Sequence, residues 1–65
     1  MTLTEYQAQR ALGTLTEAAI HKIAGDETTP IETLQYIRDE RSRQGQAWWL
    51  IGFIVNLNID KRGEA

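Results

Sequence analysis

Cysteine is absent from this 65-residue sequence, and histidine and proline occur once each. Without thiols there can be no disulfide and no thiolate metal site, a composition compatible with a reducing cytoplasm. The lone His21 removes most other metal sites. With Glu17 one turn earlier, it reads as half of a surface i,i+4 pair rather than a ligand or base. An excess of basic charge is also missing: seven Lys and Arg stand against nine Asp and Glu, for a net charge of −2. Nucleic-acid binders draw much of their affinity from neutralising phosphates, so nucleic acid is not the expected partner. There is no Gly-rich phosphate loop, no serine–histidine–acid set and no metal-spaced carboxylate pair. The expectation is therefore a protein without enzymatic activity, cofactor or metal. Met1–Tyr6 is polar and acidic, without the basic start of a secretory signal, and a cytoplasmic location is expected.

What the sequence does have is a dense apolar run, Ala47-Trp-Trp-Leu-Ile-Gly-Phe-Ile-Val55, extended by Leu57 and Ile59. Both tryptophans and the only phenylalanine lie in it. At thirteen residues it falls short of the roughly 20 that a membrane-spanning helix needs. A chain this small buries only about 60% of the surface that its unfolded form exposes. With disulfides and metals excluded, oligomerisation is the remaining way to stabilise it.

The first segment reads as a helix over about 4–24. Thr2 with Glu5, or Thr4 with Gln7, could form a capping box. Ala8, Ala11, Leu12, Leu15, Ala18, Ala19 and Ile23 share one side at helical spacing, with Arg10, Gly13, Glu17 and His21 opposite. Gly25 suits a helix end, and 25–29 reads as a loop. Thr29-Pro30-Ile31-Glu32 then combines a capping threonine, proline at the first helical position and glutamate two residues on. It predicts a second helix over 30–44 with Ile31, Leu34 and Ile37 inward. Beyond them, Asp39 and Arg43 can pair at i,i+4.

Segment 46–60 carries two patterns. Trp49, Ile51, Phe53, Val55, Leu57 and Ile59 alternate as in a strand, but Trp48, Leu50 and Ile54 spoil the alternation and no partner strand exists. As a helix its apolar arc spans about 240°, with Gly52, Asn56 and Asp60 sharing the rest with Trp49. Helix is the expectation, and Gly45 leaves open whether 30–44 and 46–60 join. Asn58 would lie near a frayed, wet end.

The predicted fold is all-α, a single domain over 1–65 built as a helical hairpin or three-helix unit and paired as a homodimer. A helix so apolar all round needs more cover than one alanine-lined neighbour provides, and a two-fold partner is the commonest source. The expected interface is Trp48, Trp49, Ile51, Phe53, Ile54, Val55 and Leu57. Arg38, Arg41 and Arg43 form a secondary charged contact, their field largely offset by Asp39 and Glu40. Tyr6 and Tyr36 point to no particular chemistry.

Two other classes fit the size. In a helix-turn-helix regulator, the second helix would enter the groove with Pro30, Ile31, Glu32 and Thr33 leading, a start too apolar and acidic for DNA. A membrane-surface peptide could use Trp48, Trp49 and Phe53, flanked by Arg43 and by Lys61 and Arg62. Its polar face lacks the basic residues such peptides carry.

The whole chain, above all Tyr6–Ile20 and Thr28–Leu57, resembles the very small accessory proteins encoded in the early regions of lambda-like bacteriophages. The likeness is one of size and sequence character, so it carries no functional residue over. It implies a non-enzymatic protein made in the cytoplasm of an infected bacterium. Such a protein acts on host or phage proteins through contact, in some cases biasing the choice between lysis and lysogeny.

Overall fold

Thr2 starts the first helix with a complete capping box: its hydroxyl accepts from the Glu5 N–H at 3.2 Å, and its own N–H donates to the Glu5 carboxylate at 3.0 Å. That bonding also holds the Glu5 carboxyl below its ordinary pKa. In the computed structural model, which describes residues 1–63, α1 then runs Leu3–Leu12 and stops. Gly13 takes the left-handed conformation at φ 74°. Its N–H donates to the Arg10 carbonyl, and the Thr14 N–H to that of Gln9, the double closure that left-handed glycine permits at a helix end. Thr16 caps a new helix by accepting from the Ala19 N–H, and α2 runs Glu17–Gly25. The single helix expected over 4–24 is therefore two, because a glycine stop and a threonine start fit between them.

The break also changes which residues face inward. Ala8, Ala11, Leu12 and Ala18 are exposed, Leu12 to 76%. The inward residues of these two helices are Tyr6, Ile20 and Ala24, with Leu15 and Ile23 packed against them. A stripe drawn straight through Gly13 misassigns the face, since the bend resets its direction.

After α2, the Asp26 carboxylate accepts from the N–H and hydroxyl of Thr28, which lowers its pKa and fixes the turn. The Thr29 hydroxyl donates to the Ile23 carbonyl at 2.8 Å instead of capping the next helix. Pro30, extended at ψ 147°, occupies the cap position itself, and α3 runs Ile31–Gln44. A buried threonine hydroxyl takes the nearest carbonyl that completes it, and here that carbonyl belongs to α2.

Gly45, at φ 67°, ends α3 and opens a 3₁₀ turn over Gly45–Trp48; α4 then runs Trp49–Lys61. Segments 30–44 and 46–60 are thus separate helices, and the second is helix rather than strand. Among the described residues the chain is all-α, with four helices where two or three were expected. The last two residues of the expected 1–65 domain lie outside the described residues. The central helix is α4, packed on both α2 and α3. The core comprises Tyr6, Ile20, Ala24, Leu34, Ile37, Trp48, Ile51, Val55 and Ile59.

Candidate interaction surface

Two polar clusters hold the frame on which the outer surface sits. In the first, the buried Tyr6 hydroxyl donates to one oxygen of Glu40, and Arg10 Nε donates to the other at 3.0 Å. The Arg10 guanidinium also lies 5.2 Å from the centre of the Trp48 ring, and the Tyr36 ring meets Tyr6 edge-on. These contacts pin α1 and the 3₁₀ turn to α3. No buried side-chain polar atom among the described residues lacks a partner, so the cluster has the make-up of a structural joint. Burial, reinforced by the neighbouring Glu40 carboxylate, holds the Tyr6 phenol well above its ordinary pKa.

That shift makes stability depend on alkaline pH. A raised folded-state pKa contributes stability that is fully present below the unfolded value, about 10 for tyrosine, and is lost as pH climbs above it. The urea midpoint should therefore hold up to about pH 9 and fall above about pH 10, with Tyr6→Phe removing part of that fall. Equal alkaline losses in the two chains would contradict this account.

The second cluster closes the end of α2. Buried Asn58 donates from its amide to the Ala24 carbonyl at 2.8 Å and the Asp26 carbonyl at 2.9 Å. Its oxygen accepts from Arg62 Nε, and the same guanidinium reaches the carbonyls of Thr29 and Asp26. Asn58 is thus a buried cap for another helix, not part of a frayed end. Arg62 is committed to the fold and Lys61 pairs with Glu27. The two C-terminal cations on which a membrane-surface reading relied are therefore already engaged.

The residues expected at the interface divide between inside and outside. Trp48, Ile51 and Val55 fill the chain's own core and take no part in its outer surface, while Ile54 is half-buried. Trp49, Phe53 and Leu57 stand outside at 57%, 52% and 48% exposure, joined by Leu50 at 43%, which the sequence reading left out of the interface. At 100° per residue these four cover one outward stripe of α4, opposite the face that packs on α2 and α3. A sequence signal for the inner face existed: Ile51, Val55, Asn58 and Ile59 follow 3.6-residue spacing. The continuous apolar arc masked it.

The arginines divide as well. Arg38 and Arg41 line an open groove of about 400 Å³ between α3 and α4 with Ser42, Trp49, Gly52, Phe53 and Asn56, whereas Arg43 is absent from it. The Arg41 stem lies across Gly52, where an added Cβ would come within 2.9 Å of its Cγ. Gly52 is therefore buried beneath an arginine rather than facing solvent with Asn56. Arg38 donates to the Asn56 side chain at 3.4 Å. The ion pairs among the described residues are Arg10–Glu40 and Lys61–Glu27, so neither Asp39–Arg43 nor Glu17–His21 forms. On the other flank of the stripe, Gly25, Ile54, Leu57, Asn58 and Lys61 border a recess of about 430 Å³.

No protein-family model matches the chain, and no curated protein or solved structure is significantly similar to it. The surface must be read on its own chemistry. No helix among the described residues is long and apolar enough to cross a membrane, and no group of His, Asp or Glu among them could hold a metal ion. Thr33 is buried and Pro30 and Ile31 are half-buried, so the start of α3 does not project as a DNA-reading helix must.

Proposed function

We propose that this protein is a non-enzymatic interaction module that self-associates through the outward face of α4 and acts by occluding or recruiting another protein. One observation carries the reading: Trp49, Leu50, Phe53 and Leu57 form a single exposed apolar stripe on an otherwise well-packed chain. Contiguous apolar surface rimmed by polar groups marks an association site. Tryptophan and other aromatics are the side chains that dominate binding energy at such sites. The same stripe, or the grooves beside it, would meet the foreign partner. The resemblance to phage early accessory proteins extends the reading to a host or phage protein in the bacterial cytoplasm, with lysis or lysogeny as one outcome under its influence.

Light scattering after size exclusion tests this. The wild-type chain should show about twice its 7.4 kDa mass. Phe53→Ser should shift it to a single chain with unchanged helicity, because that side chain is already outside the core. A wild-type mass of one chain at high concentration, or an unaltered dimer in Phe53→Ser, would overturn the reading.

A further inference from the structure

We infer that the second copy docks antiparallel across α4, each copy placing its Asp60 carboxylate in the Arg38–Arg41 groove of the other; this rests on the self-association proposed above. The sequence hides the charge on which it depends. In Arg38-Asp-Glu-Arg41 the two acids seem to cancel the two bases, but the helix sorts them onto different faces. Glu40 turns inward to Tyr6 and Arg10. Asp39 does not border the groove, which contains two arginines, two exposed aromatics and no carboxylate. The site is cationic on a chain that is acidic overall, and Trp49 and Phe53 line it beside the arginines. It suits one carboxylate delivered beside an apolar surface, not a polyanion that would need many phosphate contacts.

The same stripe supplies that carboxylate. Asp60 is exposed and belongs to neither ion pair among the described residues. It lies eleven residues after Trp49, three helical turns on and about 20° away around the axis, some 16 Å along it. The groove starts at Trp49, at the other end of the outward face, and runs to Asn56, one turn short of Asp60; both lie toward its α3 edge.

Symmetry decides how two such faces meet. A two-fold axis lying in the contact plane and perpendicular to α4 reverses the helix direction but keeps the α3 edges together. Each Asp60 then arrives at the other copy's groove, twice per dimer. Phe53 crosses the other copy's Leu57, and Leu50 meets the recess beside Ile54 on the α2 edge. An axis parallel to α4 would instead set Asp60 against Asp60, with like charges at equal height, and leave both grooves empty. The charge pattern selects the antiparallel form.

The experiment is sedimentation equilibrium on full-length wild type, Asp60→Arg, Arg41→Asp and an equal mixture of the two variants, with far-UV circular dichroism to verify folding. Each variant alone should dimerise about tenfold or more weakly than wild type, since Asp60→Arg sets a cation against both arginines and Arg41→Asp turns one of the two attractions on Asp60 into a repulsion. The mixture should recover much of the lost affinity, because the heterodimer keeps one wild-type contact and pairs opposite charges at positions 60 and 41 in the other. Should Arg41→Asp lose helicity, Arg38→Asp takes its place. A wild-type dimer that neither variant weakens, or variants that the mixture does not rescue, overturns the docking mode but leaves self-association standing. A wild-type chain that stays single overturns both, and if it gains mass on a short single-stranded oligonucleotide, the groove belongs to nucleic acid.

Discussion

Asn58→Leu is expected to remove about 2–4 kcal/mol of stability, because it strips the donors from two carbonyls and an acceptor from a guanidinium. The leucine has similar bulk, so the loss is polar and not a cavity effect. The Ala24 and Asp26 carbonyls would have no amide to meet them, and Arg62 would lose the oxygen that orients it. Each buried group left without its partner costs about 1–3 kcal/mol, and Asp26 retains a bond from Arg62, which keeps the sum below the maximum. A domain this small has a total stability of about 5 kcal/mol, so the variant should sit near its unfolding transition at 37 °C. Asn58→Asp separates the roles. It would strengthen the contact to Arg62 but cannot donate to the carbonyls, so it should also destabilise. Urea melts of both variants provide the check, and a midpoint within error of wild type for either would mean that Asn58 does not close α2.

Glu40→Ala should cost about 2–3 kcal/mol. Breaking a fully buried ion pair from one side costs about 3–5 kcal/mol, but the Arg10 side chain is 27% exposed and can turn to water once freed. The Tyr6 hydroxyl has no such escape, since that residue is buried, and it carries much of the loss. Tyr6→Phe removes the hydroxyl yet keeps Arg10 on Glu40, so it should cost only about 1 kcal/mol. The double variant should then be more stable than the sum of the single losses predicts, as expected for residues in one network. Additive losses measured by chemical denaturation would show that the Tyr6–Glu40 bond contributes nothing to the fold.

The parts of this fold legible in the sequence were those fixed by local chemistry. Thr2 with Glu5 was one of the two candidate capping boxes for the first helix, and Leu34 and Ile37 declared the inner side of α3. The helical reading of 46–60 followed from the absence of a partner strand. What escaped was decided by tertiary contacts. Gly13 read as part of the polar side of one continuous helix, although Thr16 three residues later is the natural cap of a new helix. Thr29 had the composition of a cap, but a carbonyl on α2 takes its hydroxyl. Tyr6, Glu40 and Asn58 appeared incidental because their partners lie 30 or more residues away. The site divided for the same reason. An apolar arc too wide for one face says that something must remain outside, but not which tryptophan. The 3₁₀ turn settles it by rolling Trp48 under Arg10 and leaving Trp49 to solvent.

The outward face of α4 is the claim on which the functional reading depends, and Trp49 stands at its N-terminal end. In Trp48→Phe the core keeps an aromatic ring and Trp49 is the only indole left to fluoresce. Its emission maximum should move to the blue as protein concentration rises through the association range, and back on dilution. An emission maximum fixed at the solvent-exposed value across all concentrations would mean that nothing covers this face in solution, and would contradict the account.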